Sequence, residues 1–206
     1  MLNKTSVASR KARQLPLLKR EKSDYGGSLR KTRKGRAHAR PLTTKTTMHV
    51  VLHSTKAVGE FSFRQVKHDR NIRRILQKFA FIYGVKIVSF ANAWNHLHLQ
   101  IKLTNRFTYA PFIKAVTGAI AMSVSGRTRW TKAQDAKRPA NAGGTRKMIE
   151  GKFWDHRPFT RIVQSVRAYF NLKDYVRMNE IESDGFRRKN ARQMTQVEKL
   201  WARSVR

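Results

Sequence analysis

From His96 to Leu103 the chain alternates polar and apolar residues without a break (HLHLQIKL). Successive side chains of a β-strand point to opposite faces, so this run specifies a strand with one buried face. Leu97, Leu99, Ile101 and Leu103 fall on one face; His96, His98, Gln100 and Lys102 fall on the other. The core must therefore lie on one side of a sheet, and two imidazoles must stand side by side on the opposite side. At strand spacing they sit about 6–7 Å apart along the strand, close enough to share one ion. The His-x-His pattern alone fits a ligand pair and a plain exposed strand equally, because a metal site needs more than two ligands.

The neighbouring segments supply partners for that strand. Thr47–Ser54 (TMHVVLHS) is rich in β-branched residues and is predicted as a first strand, with His49, Val51 and His53 on one face and Met48, Val50 and Leu52 on the other. Ile72, Ile75, Leu76, Phe79 and Ile82 recur at helical spacing within about Lys67–Tyr83, and Gly84 is a stop signal. Val85–Ala93 is predicted as a strand that forms an antiparallel hairpin with His96–Leu103, since only two or three residues separate them. A second helix starts at Pro111, with Phe112, Ile113, Val116, Ile120 and Val124 apolar, and ends at Gly126. Thr131–Lys147 is polar, basic and rich in Ala, Gly and Pro, the composition of a long loop insertion. FWDHRPFTRIV suggests one or two short strands broken near Pro158, and a last long helix runs from about Ser165 to Ile181, closed by Gly185. The order β-α-β-β-α-β-α predicts an α+β fold: a small antiparallel sheet with helices packed on it.

Charge narrows the partner. Among 206 residues, 45 Lys and Arg face 12 Asp and Glu, a formal net charge of +33. Such a chain repels itself unless a polyanion neutralises it, and nucleic acid is the leading candidate because phosphate contacts release counterions. Residues 1–46 form a basic segment, expected to be a flexible nucleic-acid-binding tail, in which Arg30, Lys31, Arg33, Lys34, Arg36 and Arg40 are the densest cations. Residues 187–206 form a basic C-terminal extension. The chain has no cysteine, which excludes disulfides, thiolate zinc sites and a cysteine nucleophile. No run approaches 18 consecutive apolar residues, so neither a membrane span nor a membrane partner is expected. So few acids also argue against a two-metal nuclease built on Asp and Glu.

A second constellation lies in KDYVRMNE. On a helix, positions i and i+4 share a face, so the Tyr175 phenol and the Asn179 carboxamide project together. Tyr169 is the rival phenol; six residues earlier, it points about 240° away around an ideal helix. A half-buried core tyrosine and a surface asparagine fit the same pattern.

Together NHLHLQIKL, the upstream SFANAWN, and the downstream FWDHRPFT and DYVRMNEIE resemble the single-tyrosine HUH transposases, in particular the REP-associated tyrosine transposases and similar insertion-sequence transposases. The resemblance spans roughly residues 47–186. It departs from the family at the lead-in, Ala93-Trp94-Asn95 in place of Met-Pro-Asn-His, and after the tyrosine, where Asn179-Glu180 replaces Asn-Pro. It implies a ferredoxin-like or RRM-like HUH endonuclease fold, with residues 47–186 as catalytic domain. It implies Tyr175 as nucleophile, His96, His98 and Asn179 as ligands of a divalent metal, Mg or Mn, and cleavage and rejoining of single-stranded, hairpin-associated DNA through a 5′-phosphotyrosine. Imidazole ligands taken alone favour Zn or Mn. Gln100 is a candidate to orient a ligand and Lys102 to contact the DNA. His49 and His53 share a strand face that can flank the site or serve the core, His156 lies in the preceding segment, and Trp94, Trp130 and Trp154 can stack on bases or pack the core. Relatives include both monomers and homodimers that exchange tyrosine helices, and the resemblance implies a bacterial, cytoplasmic, nucleoid-associated location. The competing expectation is a non-catalytic nucleic-acid-binding protein, a domesticated transposase or a ribosome- or nucleoid-associated basic protein, in which HLHLQIKL is only a half-buried strand.

Overall fold

A computed structural model of the chain describes residues 25–26, 40–126, 149 and 151–204. Arg30, Lys31, Arg33, Lys34, Arg36 and the expected insertion 131–147 lie outside the described residues. Five strands, β1 (Tyr25–Gly26), β2 (Met48–His53), β3 (Val85–Ala93), β4 (His96–Leu103) and β5 (Phe159–Ile162), form one sheet in the order β1-β5-β2-β4-β3. Every neighbouring pair is antiparallel. The helices are α1 (Val66–Ile82), α2 (Tyr109–Ser125), α3 (Val166–Ser183) and α4 (Arg188–Ser204). The fold is α+β, as the alternating patterns predict.

The alternation of β2 and β4 decides which helices go where. Met48, Val50 and Leu52 join Leu97, Leu99, Ile101 and Leu103 in one buried cluster with Ile72 and Leu76 of α1 and Phe112, Val116, Ile120 and Val124 of α2. These two helices therefore seal the apolar face. By length and composition alone, Arg106–Ser125 is apolar enough to cross a membrane, which counting consecutive apolar residues did not register; its Tyr109, Phe112, Val116, Ile120 and Val124 are buried in this cluster.

The opposite face is polar, and α3 packs across its β3–β4 side. One extra residue in β3, a bulge between Ile87 and Ser89, sets the register there. Beyond it Ser89, Ala91 and Ala93 stand opposite Gln100, His98 and His96. Directly paired residues point to the same face, so a row of small side chains leaves room beside the imidazoles. Across β4, His49, Val51 and His53 of β2 pair with Gln100, His98 and His96. Arg161 and Phe159 of β5 extend the row from His49 and Val51.

Both ends of the described chain pack on the fold. Within the basic C-terminal extension, α4 packs on α3, burying Ala191 and Thr195, and Arg177 forks onto both oxygens of Glu198 at 2.7 and 3.1 Å. At the other end, Tyr25–Gly26 pair with Arg161 and Thr160 of β5. Arg40, the last cation of the group expected to bind DNA, docks on the fold. Its guanidinium donates to the Pro158 carbonyl and to Thr160 Oγ1 (2.9 Å), and lies 5.7 Å over the Tyr109 ring. A planar fork and an aromatic face suit arginine; both hydrogen bonds come from one terminal nitrogen, which leaves the donors on Nε and the other terminal nitrogen.

Candidate functional site

The β3–β4 turn aims the histidines. Trp94 takes a left-handed φ of 62°, rare for a residue with a side chain. Its carbonyl is held by Phe63 N–H at 3.0 Å, and the Asn95 carbonyl accepts from Ser54 N–H at 2.9 Å. The turn is thus fixed from outside the hairpin, and β4 starts at His96 in a defined register.

Four imidazoles and one phenol converge above the sheet. His49, His53, His96, His98, Asn95 and Tyr175, with Val51 and Phe159, line a cavity of about 460 Å³. The His96 and His98 rings are 4.8 Å apart, and His53 lies 5.9 Å from His96. Tyr175 meets His98 edge to face at 5.3 Å and His49 at 6.1 Å. Chain order separates Tyr175 from His98 widely; α3 lying across the sheet brings them together. Tyr169 contacts its neighbour Phe170 at 5.3 Å and is not among the cavity's lining residues.

The hydrogen bonds assign roles to the ring nitrogens. His96 Nδ1 faces the Asn95 side-chain oxygen at 2.8 Å. That oxygen only accepts, so Nδ1 carries the proton and Nε2 keeps its lone pair. His98 Nδ1 and His49 Nε2 share a contact of 3.1 Å, while His98 Nε2 is buried with no partner. With His98 Nδ1–H donating to His49, the orphaned Nε2 is a bare lone pair, the arrangement by which a second imidazole nitrogen orients a metal ligand. Burial, and then the neighbouring His49 and His96, push His98 down to about 3. Burial, with the charge of Arg161, takes His49 to about 4. His96 is lowered by burial and by His53. All three are neutral near pH 7, the form that ligates a cation. Among the described residues, no three His, Asp or Glu side chains are grouped to hold a cation. The cavity brings two imidazole nitrogen lone pairs, those of His96 and His98, to one place.

Asn179 is buried one turn beyond Tyr175, and its Nδ2 donates to the Tyr175 carbonyl at 2.7 Å. It shares the helix with the phenol but does not line the histidine cavity. Gln100 is fully buried and bonds to Ser89 Oγ (3.0 Å), Thr47 Oγ1 (3.2 Å) and the Tyr169 carbonyl (3.5 Å). It ties α3 to the sheet, and none of these bonds reaches a histidine. Lys102 is exposed at the far end of β4, opposite Lys86. His156 has a buried Nδ1 without a partner and lines neither this cavity nor the groove beside Tyr175. Trp154 is packed against Phe63 and Phe153, its Nε1 donating to the Thr117 carbonyl at 2.9 Å; Trp94 is exposed, and Trp130 lies outside the described residues.

His49 and His53, which could flank the site or serve the core, both line the cavity. Sequence reasoning missed Asp155. This carboxylate meets His53 Nδ1 at 2.6 Å and accepts from Thr55 N–H (3.0 and 3.1 Å) and Thr55 Oγ1 (2.9 Å). Burial alone would raise its pKa, but the Thr55 and His53 hydrogen bonds prevail and hold it below the usual carboxylate value. The only signal was an acid within WDHRPF in a chain poor in acids.

No family model and no curated protein sequence matches the chain. Among solved structures it is similar to a REP-associated tyrosine transposase bound to a REP hairpin, with a TM-score of 0.50 and 11% identity over 72% of this chain and 74% of that one. It is also similar to a Deinococcus radiodurans R1 protein assigned as a transposase, with a TM-score of 0.36 and 16% identity over 70% of this chain and 95% of the other. The chain therefore shares its fold with a REP-associated tyrosine transposase.

Proposed function

We propose that the chain is a transposase-like DNA strand transferase acting on single-stranded, hairpin-associated DNA with Tyr175 as nucleophile. The observation that carries this reading is the Tyr175 ring set edge-on at 5.3 Å from His98, in one cavity with His96. A phenol ordinarily ionises near pH 10, so its proton must leave as its oxygen attacks. The Tyr175 oxygen bonds to phosphorus, the bond from phosphorus to the 3′ oxygen breaks, and that oxygen departs with a proton as a free 3′-hydroxyl. A 5′-phosphotyrosine remains, and a second 3′-hydroxyl reverses the step without an external energy source.

His96 and His98 would hold a divalent cation, Mg or Mn, through their Nε2 atoms; Asn179, the third ligand that the resemblance implies, lies outside the histidine cavity and would have to turn its carboxamide oxygen towards it when DNA and metal bind. Such a cation supplies charge stabilisation to the phosphoryl oxygens. Asn95 and His49 fix the two ring planes through the Nδ1 contacts. The resemblance of the triplet and the Tyr-x-x-x-Asn pair to the HUH transposases supports the same assignment.

Incubation with end-labelled hairpin-bearing single-stranded DNA and Mg or Mn tests it. The expected product is a protein–DNA adduct that survives denaturant, absent in Tyr175→Phe and strongly reduced in His98→Ala. A complex that dissociates completely in denaturant would overturn strand transfer and leave a non-catalytic DNA-binding protein.

A further inference from the structure

Tyr175 stands between two cavities. One holds the histidines; the other is a groove of about 610 Å³ between the end of β5 and the first half of α3, and the two share only His49 and Tyr175. That volume is in the range of a built ligand site. We propose that this groove seats the sugar–phosphate backbone of the DNA strand as it leaves the histidine cavity, with Arg161 as its anchoring cation. The proposal rests on the strand-transfer reading for its polarity past Tyr175, but its residues are independent of the histidines.

Arg161 pairs with His49 across β5 and β2, so its side chain rises from the histidine face. It is exposed, and among the described residues it has no ion-pair partner. Four other described arginines, Arg64, Arg73, Arg177 and Arg188, each hold a carboxylate; Arg161 is the one that lines the groove beside Tyr175. The acids are sorted to match. Neither cavity that touches Tyr175 is lined by a carboxylate. The cavities beyond the other side of α3 carry Asp174, Glu180 and Glu198, and Asp69, Glu180 and Asp184, each set among as many lysines and arginines. A polyanion approaching α3 thus meets an uncompensated guanidinium on the Tyr175 side and cations matched by carboxylates on the other. Gln164 and Asn171 add amide donors to the groove, and Leu172 gives it an apolar wall against which a sugar can lie. A guanidinium with five donors and no acid to satisfy them is suited to a phosphate.

The test uses the full chain with the Tyr175→Phe change, in chelator, and a fluorescent oligodeoxythymidylate, so that neither cleavage nor metal enters. Arg161→Ala is expected to weaken binding roughly tenfold, as loss of one charge-assisted contact does. It should also reduce the slope of log affinity against log salt by about 0.7, the value for one phosphate on a single strand. Arg161→Lys should recover part of the affinity. Ala168→Trp, which fills the groove from α3, should weaken binding comparably. Arg74→Ala, which removes one exposed charge from α1, should do neither. If the Arg161 and Ala168 variants bind as the Arg74 variant does, the groove is not the seat, even where the unmodified chain forms its adduct. If they lose affinity and the unmodified chain forms no adduct, the seat stands and strand transfer falls.

Discussion

At the scale of single residues, the site is built from imidazoles kept neutral by burial. His98 and His49 ionise near 3 and 4 in the folded chain and near 6.5 when unfolded. Both folded values are depressed, so between pH 6.5 and about 4 the unfolded state binds more protons, and stability rises with pH across that window. Stability is therefore full above pH 6.5 and is lost progressively as pH falls towards 4. Thermal melting in chelator should fall over this interval, and His49→Gln, which removes one of the two groups, should flatten the fall. A melting temperature constant from pH 7 to 4 would contradict the burial of these rings. Asp155 offers a second test. Asp155→Ala strips the acceptor from Thr55 N–H and from the proton on His53 Nδ1; both donors can reach water, so the loss is that of ordinary hydrogen bonds, about 0.5–1.5 kcal/mol. Urea denaturation should show a lower midpoint with an unchanged slope.

At the scale of elements, what positions Tyr175 is the way α3 is fastened to the sheet. Buried Val176 and Ile181 hold α3 down, and Gln100 adds a polar tie, its side chain linking β4 to Ser89 of β3, Thr47 and the backbone of Tyr169 in α3. Gln100→Leu keeps much of the volume but orphans these groups, and should cost about 1–3 kcal/mol by denaturation. The displaced helix should also lower adduct yield, although the variant keeps every proposed ligand. The strands and helices themselves were legible: a period of two gave β4, helical spacing gave α1 to within a residue or two, and Gly126 marked the end of α2. Of the Tyr-x-x-x-Asn signature, Tyr175 lines the histidine cavity and Asn179 does not. Contacts between distant residues were not legible. Nothing in WDHRPF says that Asp155 bonds to a histidine 102 positions away. The bulge in β3, which decides whether alanines or larger residues face the imidazoles, has no glycine to announce it. The helix α4 follows a glycine and a run of cations, and what joins it to the fold is the burial of Ala191 and Thr195 against α3, with Arg177 pairing to Glu198 at the edge, a choice of partner that periodicity does not encode.

At the scale of the whole molecule, two electrostatic effects oppose each other, and their balance can be measured. The ion pairs of the surface, such as Arg73 with Asp69 and Arg188 with Glu182, are exposed enough that each is worth at most about 1 kcal/mol and weakens with salt. Against them stands an excess of 33 positive charges, whose mutual repulsion is also screened by salt and destabilises the compact state until it is. Repulsion acts among all the cations, whereas attraction is confined to the few pairs that twelve acids allow, so screening should be a net gain. The free chain is expected to melt higher at 0.5 M than at 0.05 M salt, by about 2–4 °C for each kcal/mol relieved. The DNA-bound chain should do the reverse. A strand present at a hundred times its dissociation constant adds about 2.7 kcal/mol to stability, and salt removes that addition by weakening the phosphate contacts. Melting curves taken with and without oligodeoxythymidylate should therefore start well apart at low salt and converge as it rises, the free curve climbing and the bound curve falling. A free chain that melts lower at high salt would mean that its paired arginines outweigh its unpaired ones. The solvent-facing charge would then stabilise this fold without any polyanion.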